Sequence, residues 1–283
     1  MKFGVRAHDF GKYDAKILAE KIRETGFEAV HLAVKKSLPG MNGNIDVKQE
    51  DIEYIREAFC GMEISVLGSY IDFTTDDEDV WEKHRDEFVA ALKISKPLGA
   101  LYVGSESSYG EVDMENKVRL FPKLLKRLDD VLNEADKYDA YVAMEPVASH
   151  TLYSAECTAK MLNTLSSERL NIIFDPLNIL TKERVDSQEA LWNECIDAFG
   201  KETKIIHLKD GVFPDKGRHV ACKLGEGIMR YDIIKDWIKK EKPDISVIRE
   251  EERAEYAKED LAFMKNLFIK KGAVAFATAS KNL

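Results

Sequence analysis

Four side chains that can bind a cation each follow a short apolar run in the second half of the sequence. They are Glu145 in AMEP, Asp175 in FDPLN, His207 in IIHLKD and Glu250 in VIREE. A carboxylate that is buried without a compensating charge is costly, and three of them together cost far more. Three carboxylates and one imidazole suit one divalent metal ion, such as Mn²⁺, Mg²⁺, Co²⁺ or Zn²⁺. Oxygen ligands favour the harder of these ions, and the imidazole admits the borderline ones.

The same four residues could also occupy these positions without a metal ion. Lysine or arginine side chains could supply the compensating positive charge. Alternatively, acidic residues after strands often cap the next helix, and Asp175 or Asn178 could do so here. Because the pattern recurs at four consecutive strand ends, we favour one shared site over four separate caps.

The last of the four positions has two candidates, because the eighth apolar run ends in two glutamates. Side chains two residues apart on a strand share a face, so Glu250 lies on one face and Glu251 on the other. We favour Glu250 as the metal ligand, since Arg249 then points away from the cation. Glu251 is the alternative.

The elements that would position these residues are short apolar runs that alternate with longer amphipathic stretches. Eight runs read as buried strands, at residues 2–8, 27–34, 63–71, 99–105, 140–146, 170–176, 203–210 and 244–251. Strands that are each followed by a helix indicate parallel β/α units. Eight such units in 283 residues predict an α/β fold, a closed (β/α)8 TIM barrel, in which the carboxyl ends of all strands meet at one face. An open doubly wound sheet is the alternative, but no GxGxxG or GxxxxGK[ST] motif follows the first run.

The amphipathic stretches predict the helices between these strands. They cover residues 16–26, 49–59, 79–99, 115–138, 154–165, 187–200, 231–242 and 255–272. Proline kinks a helix interior, so Pro122 predicts that the helix in 115–138 begins near Phe121. We expect a single barrel domain over residues 1–283, with a C-terminal tail from about residue 273.

The composition disfavours nucleic-acid-binding, membrane-spanning and secreted proteins. A formal net charge of −9 and a pI of about 5.4 disfavour general binding to nucleic acid, which needs a basic surface. The sequence contains no uninterrupted run of 18 apolar residues, so we expect no membrane span. The first residues, MKFGVRAHDFG, lack the features of a signal peptide. The four cysteines are scattered without a CxxC pair, which is typical of reduced thiols. We therefore expect a cytoplasmic protein, and we leave open whether it forms a homo-oligomer.

A long segment follows the seventh apolar run and reads KDGVFPDKGRHVACKLGEGIMRY. Its four glycines predict an irregular loop, and loops of this length in a compact domain are often functional. Arg218 lies within it, and a planar guanidinium would suit an anionic or polyhydroxylated substrate. A solvated surface arginine is the alternative.

The motifs AMEP, FDPLN, HLKD, KLGEGIMRYDIIKDWI and VIREE occur in an order and spacing that resemble the sugar phosphate isomerase/epimerase superfamily, the xylose isomerase-like TIM barrels. The resemblance implies one divalent metal ion bound by Glu145, Asp175, His207 and Glu250. It also implies that the two glutamates serve as acid and base on either side of a sugar carbon. By the same resemblance, Asn178 and Arg218 contact the substrate.

The activity that this resemblance implies is that of a metal-dependent sugar or sugar phosphate isomerase or epimerase, acting on a small-molecule sugar. Such an enzyme moves a proton next to a carbonyl through an enediolate. An inosose dehydratase or a hydroxypyruvate isomerase-like enzyme would use the same metal site. An abasic-site DNA endonuclease of the same superfamily needs further histidines, which the ends of the third and fourth runs lack. A sugar-binding barrel without catalysis is the remaining alternative.

Three further residues lie within the predicted strand runs, near the predicted site. Lys209 would add positive charge near a developing enolate, or it would face solvent at the barrel mouth. His8, at the end of the first run, would line the pocket mouth. His31 lies inside FEAVHLAV, where it faces either the barrel pore or the surrounding helices.

Overall fold

A computed structural model describes residues 1–215, 218–251 and 253–269 of the chain. Its strands are β1 (Lys2–Arg6), β2 (Ala29–Leu32), β3 (Glu63–Gly68), β4 (Ala100–Ser105), β5 (Val142–Met144), β6 (Leu170–Phe174), β7 (Thr203–Leu208), β8 (Asp210–Val212), β9 (Val220–Cys222) and β10 (Ser246–Arg249). All but β8 and β9 are parallel and close into a barrel in the order β1-β10-β7-β6-β5-β4-β3-β2. The eight-stranded barrel predicted from the sequence is therefore confirmed, and each predicted strand run contains one of its strands.

Helices follow the barrel strands and surround them. They are α1 (Ala15–Thr25), α2 (Val34–Ser37), α3 (Gln49–Ala58), α4 (Glu78–Leu98), α5 (Met114–Lys137), α6 (Ala155–Leu165), α7 (Pro176–Ile179), α8 (Gln188–Phe199), α9 (Asp232–Glu241) and α10 (Ala257–Phe268). Aspartate or serine side chains cap several of them, as at Asp77 before α4 and Ser154 before α6. None of the helices in the described residues is long and apolar enough to cross a membrane.

The predicted start of α5 near Phe121 is wrong, because the helix begins seven residues earlier, at Met114. Asp113 caps it by accepting a hydrogen bond from the backbone N–H of Asn116. Pro122 lies inside the helix, but its ring is exposed, and the carbonyl that it leaves unpaired belongs to Val118, which is also exposed. Water can therefore satisfy that carbonyl, and the helix continues.

The segment after β7 is more regular than the sequence indicates. Strands β8 and β9 pair antiparallel, with Val212 opposite Val220. The carboxylate of Asp210 then accepts hydrogen bonds from the backbone N–H groups of Gly225, Gly227 and Met229. This one side chain holds the LGEG segment against the end of β7. The expected tail from about residue 273 lies outside the described residues.

Two hydrophobic layers hold the barrel together. The outer one packs the strands against the helices, with large side chains such as Trp192, Phe88 and Leu18 fully buried. The inner one fills the barrel pore with side chains from six strands. Its members are Ala29, Val66, Ala143, Ile173, Ile205 and Ile248. Because it fills the pore, this inner layer forms the floor beneath the carboxyl ends of the strands.

Candidate metal centre

Each predicted metal ligand lies two residues beyond an inner-layer residue on the same strand. Since side chains two apart on a strand point to the same side, each ligand also points into the pore, one layer nearer the mouth. The pairs are Ala143 with Glu145, Ile173 with Asp175, Ile205 with His207, and Ile248 with Glu250. The alternation of the strands thus explains why four separated residues converge.

The four side chains come together at one place. Ligand atoms of Glu145, Asp175, His207 and Glu250 all lie within 4.8 Å of one another, and all four residues are buried. Glu251, the alternative to Glu250, is 40% exposed and lies outside this group. Arg249 points outward, where it forms a fully buried ion pair with Asp260. The structure thus places Glu250, not Glu251, with the other three residues.

The imidazole of His207 lies between the two glutamates. Its Nδ1 is 3.1 Å from Oε2 of Glu145 and 3.3 Å from Oε1 of Glu250. Burial alone would lower the pKa of His207, but the charges of Glu250 and Glu145 outweigh burial and raise the pKa to about 9. The same site lowers the pKa of Glu250 well below its usual range. Burial would raise that pKa, but His207, Arg6 and Lys209 together reverse the effect.

Lys209 is buried within the carboxylate cluster and does not face solvent. Its Nζ lies 3.2 Å from Oδ2 of Asp175, 3.5 Å from Oε2 of Glu250 and 3.4 Å from Oε2 of Glu251. Burial would lower the pKa of Lys209, yet Asp175 and Glu250 raise it above its ordinary value. Lys209 therefore supplies part of the positive charge that the buried carboxylates need at this place.

The residues nonetheless fit a divalent cation. Oδ2 of Asp175 is buried and makes no hydrogen bond among the described residues, although the ammonium of Lys209 is near it. Burial raises the pKa of Asp175 to about 7; Lys209 opposes this shift and Glu145 adds to it. The ammonium of Lys209 thus leaves one buried carboxylate oxygen without a hydrogen bond. A donor set of three carboxylates and one imidazole is suited to Mn²⁺, Mg²⁺, Co²⁺ or Zn²⁺.

Asn178 and Asp175 both contact this centre through helix α7. The carboxylate of Asp175 caps the helix by accepting a hydrogen bond from the backbone N–H of Asn178, at 3.1 Å. The side-chain amide of Asn178 then donates to Oε1 of Glu145, at 2.5 Å. Capping and participation in the centre are therefore compatible for Asp175. The predicted contact between Asn178 and a substrate stays a prediction.

The other predicted substrate residues lie around the mouth. Arg218 is exposed, and its charge acts on Glu106 and His150, so it is near the opening of the barrel. His8 is partly buried beside Arg6, and burial followed by the charges of Arg6 and Lys36 lowers its pKa to about 3. His8 is therefore neutral at pH 7. A role in substrate binding remains a prediction for both Arg218 and His8.

The alternation also directs to the site three residues that were not among its predicted metal ligands. Arg6, His31 and Glu106 lie two residues beyond inward-facing positions on β1, β2 and β4, which are Gly4, Ala29 and Gly104. The two-residue step is visible in the sequence, so these three residues could have been found once the inner layer was known. His31 faces the pore: it is fully buried, and its Nδ1 is 3.3 Å from Nε2 of His207.

Glu106 gives the barrel mouth a pH-dependent charge. Burial, followed by the charges of Glu145 and Glu250, raises its pKa to about 8. The folded chain then keeps a proton on Glu106 between about pH 4.5 and 8, whereas the unfolded chain has lost it, so stability falls as pH rises through this window.

We expect Glu106→Gln to stabilise the chelator-treated protein by about 2–4 kcal/mol at pH 8.5 and by far less at pH 5. Urea denaturation at both pH values measures this, and equal effects at the two pH values would contradict the assignment.

The family of the chain can now be stated. A family model described as a xylose isomerase-like TIM barrel matches residues 19–267. The chain therefore belongs to this family, as the sequence motifs predicted.

Individual relatives share the fold at low sequence identity. The chain is 26% identical to "Probable endonuclease 4" of Thermotoga neapolitana over 203 residues, which cover 65% of this chain and 64% of that protein. The crystal structure of the IOLI protein with a bound zinc atom is 20% identical, with a TM-score of 0.75 over 94% of this chain and 96% of that one. The 3-keto-D-glucoside 4-epimerase YcjR of E. coli is 13% identical, with a TM-score of 0.74 over 94% and 99%. At these identities the solved structures show a shared fold, and the matched segment spans less than two thirds of the curated relative.

Proposed function

We propose that this protein is a divalent-metal-dependent isomerase or epimerase of a sugar or sugar phosphate. The observation that carries the proposal is the convergence of Glu145, Asp175, His207 and Glu250 within 4.8 Å at the carboxyl end of the barrel. Two supports are independent of it. The chain belongs to the xylose isomerase-like family, and structures that share its fold include a zinc-binding protein and a sugar epimerase.

The four residues would hold the ion. Asp175 would contribute Oδ2, which accepts no hydrogen bond among the described residues, and His207 would contribute the nitrogen that faces the two glutamates. A bound divalent ion would act as a Lewis acid that makes the proton next to a carbonyl more acidic and stabilises the resulting enediolate. Lys209 already lies at this place, and its ammonium would add positive charge next to the same oxygens.

Glu145 and Glu250 are positioned to move the proton. They come from β5 and β10, which are separated in the barrel by β6 and β7, so they approach the centre from different sides. The amide of Asn178 orients Glu145 through Oε1. Burial would raise the pKa of Glu250, but the charges of His207, Arg6 and Lys209 lower it, so this carboxylate is ionised in the site. In an epimerisation, one glutamate would remove the proton from a carbon and the other would return a proton to the opposite face of the same carbon, which inverts it. In an isomerisation, the proton would instead be returned to the neighbouring carbon.

A turnover screen tests this proposal directly. Purified protein is stripped with EDTA, reloaded with Mn²⁺, Mg²⁺ or Co²⁺, and incubated with ketoses and ketose phosphates, inososes and hydroxypyruvate. We expect an isomer or epimer of one ketose to form with metal and not without it. Turnover of a ketose by the stripped protein would contradict the role of the metal. Loss of water from an inosose would instead favour the dehydratase alternative.

A nuclease activity is the second candidate, because the curated relatives that match are probable endonucleases. The net charge of −9 opposes binding to a phosphate backbone. Of the six histidines, only His31 and His207 belong to metal-capable groups in the described part of the chain. We therefore expect no cleavage of duplex DNA that contains an abasic site, with Zn²⁺ or Mn²⁺, under conditions where ketose turnover is measured.

Metal binding should also be visible in stability. A ligand that binds only the folded protein stabilises it by about 2.7 kcal/mol at a hundredfold excess over its dissociation constant. We expect the melting temperature of the stripped protein to rise by several degrees with saturating Mn²⁺ or Co²⁺ and to fall again with EDTA. Glu145→Gln is expected to reduce this rise, and an unchanged melting temperature in the wild type would count against the site.

A further inference from the structure

The inward-facing His31 contacts the edge of the His207 ring that carries Nε2, opposite the nitrogen that faces Glu145 and Glu250. Nε2 of His207 is 3.3 Å from Nδ1 of His31, and the two ring planes differ by 20°. On its other side, Nε2 of His31 is 3.3 Å from the hydroxyl of Tyr70. Each imidazole thus uses its two ring nitrogens in two different contacts: His207 contacts Glu145 through Nδ1 and His31 through Nε2, and His31 contacts His207 through Nδ1 and Tyr70 through Nε2. His207, His31 and Tyr70 therefore form one chain of contacts that starts at the candidate metal centre, where Nδ1 of His31 is also 3.7 Å from Oε1 of Glu250.

The proton positions along this chain follow from the position of the metal site. A neutral imidazole binds a metal through the nitrogen that carries no proton. Nδ1 of His207 faces Glu145 and Glu250, so it is the ligand atom, and the proton must be on Nε2. That N–H then donates to Nδ1 of His31, whose own proton is left on Nε2 and donates to the hydroxyl of Tyr70. Every nitrogen in the chain then has a partner.

We propose that His31 is a positioning residue that holds His207 with its proton on Nε2 and its Nδ1 lone pair directed at the metal ion. This inference rests on the proposed function, since it concerns the same metal site. It adds a residue from β2 to a centre whose predicted ligands come from β5, β6, β7 and β10. The ligand histidines of metal sites commonly need such a partner, and its loss typically costs about 10–100-fold in metal affinity.

The neighbouring strand is shaped to admit the ring of His31. Gly68 occupies the layer of the metal ligands on β3, two residues beyond the inner-layer Val66. A Cβ atom at this position would lie 2.7 Å from Nε2 of His31 and 3.1 Å from the ring of Tyr70. A side chain at this position would therefore force the ring of His31 to move. Gly68→Ala should displace His31 while leaving all the metal ligands unchanged.

A different role for His31 is that of a ligand to a second ion. Atoms of His31, His207 and Glu250 also lie within 4.8 Å of one another. A second ion there would have to share His207 with the first, and both of its ring nitrogens would then lack a proton. The hydrogen-bond chain to Tyr70 avoids that cost, so it is the arrangement that the contacts favour. Metal stoichiometry distinguishes the two.

The test compares Co²⁺ binding to four forms of the full-length protein. Calorimetry and the visible spectrum of bound Co²⁺ report affinity, stoichiometry and ligand geometry for wild type, His31→Leu, His31→Asn and Gly68→Ala. We expect one ion per chain, an about 10–100-fold weaker affinity and an altered spectrum in His31→Leu and Gly68→Ala. His31→Asn keeps an acceptor oxygen near the position of Nδ1, so it should recover most of the affinity. His84→Leu, a histidine on α4 outside the cluster, is the matched control.

Two results from this series would overturn the proposal. One is wild-type affinity and spectrum in His31→Leu. The other is two ions in the wild type and one in His31→Leu, which would make His31 a ligand instead.

A second measurement keeps this inference separate from the proposed function. In the EDTA-treated protein both nitrogens of His207 carry protons below about pH 9, because its pKa is raised, so the informative signal in long-range ¹H–¹⁵N spectra of histidine-labelled protein is the coupling across the N–H···N contact, which identifies the acceptor of the Nε2 proton. We expect that coupling in the wild type and its loss in His31→Leu. If the wild type bound no Co²⁺ but showed the coupling, the proposed function would fail and the His31–His207 contact would stand. Absence of the coupling in the wild type would overturn the inference whatever the metal content.

Discussion

Glu145→Gln is expected to lower turnover of the identified sugar by about 10²–10⁴-fold, even when the variant is loaded with metal. The substitution keeps the size of the side chain and its contact with Asn178, but it removes the group that accepts a proton. It also removes one anionic ligand, so metal affinity should fall as well. Turnover is therefore measured at metal concentrations that saturate the variant, as judged by calorimetry, so that lost chemistry is separated from lost metal.

The matched control for this prediction is Glu63→Gln. Glu63 begins β3 at the opposite end of the barrel, where its carboxylate accepts hydrogen bonds from Ser65 and Ser246. It is thus another hydrogen-bonded barrel glutamate, but one distant from the candidate centre, and its variant should keep wild-type turnover. A metal-saturated Glu145→Gln protein that works at the wild-type rate would remove Glu145 from the proposed chemistry.

Lys209→Met is expected to destabilise the EDTA-treated protein by about 3–5 kcal/mol. The ammonium is buried beside Asp175 and Glu250, and removing one partner of a buried ion pair leaves the other charges uncompensated. Urea denaturation in EDTA measures the loss. Saturating Mn²⁺ should restore a larger share of stability to this variant than to the wild type, because the ion then replaces the positive charge that the substitution removes from between these carboxylates.

Lys204→Met is the control for Lys209, because Lys204 lies on β7, the strand that Lys209 directly follows, and its side chain is exposed. Its effect should be within about 0.5 kcal/mol, as for other surface substitutions. Equal stability of the Lys209→Met and wild-type proteins in EDTA would show that Lys209 does not compensate the carboxylate cluster.

Much of this architecture can be predicted from the sequence, because the barrel is built from local patterns. Apolar runs of strand length alternate with amphipathic stretches, and Gly26 ends α1 in the left-handed conformation expected of a helix terminus. The motifs at the strand ends indicated four residues that the structure brings together, and their binding of a metal ion stays a prediction. The helix start at Phe121 failed because an exposed proline can remain in a helix when water satisfies the carbonyl that it leaves unpaired.

The orientation of His31 and the burial of Lys209 were not predictable in the same way. Strand β2 is buried on both faces, so its sequence AVHL shows no alternation that would tell the pore side from the helix side. Lys209 follows His207 by two residues and thus points the same way, but whether a lysine there reaches solvent depends on carboxylates supplied by other strands. Both answers require the register of the barrel.

Anomalous diffraction from crystals soaked in Mn²⁺ is the decisive test of whether the four convergent side chains bind a cation. We expect one strong peak per chain, bonded to oxygens of Glu145, Asp175 and Glu250 and to Nδ1 of His207. An ordered cluster without a peak, in which the ammonium of Lys209 alone lies between the carboxylates at saturating Mn²⁺, would show instead that these residues form a buried ion-pair cluster and not a metal centre.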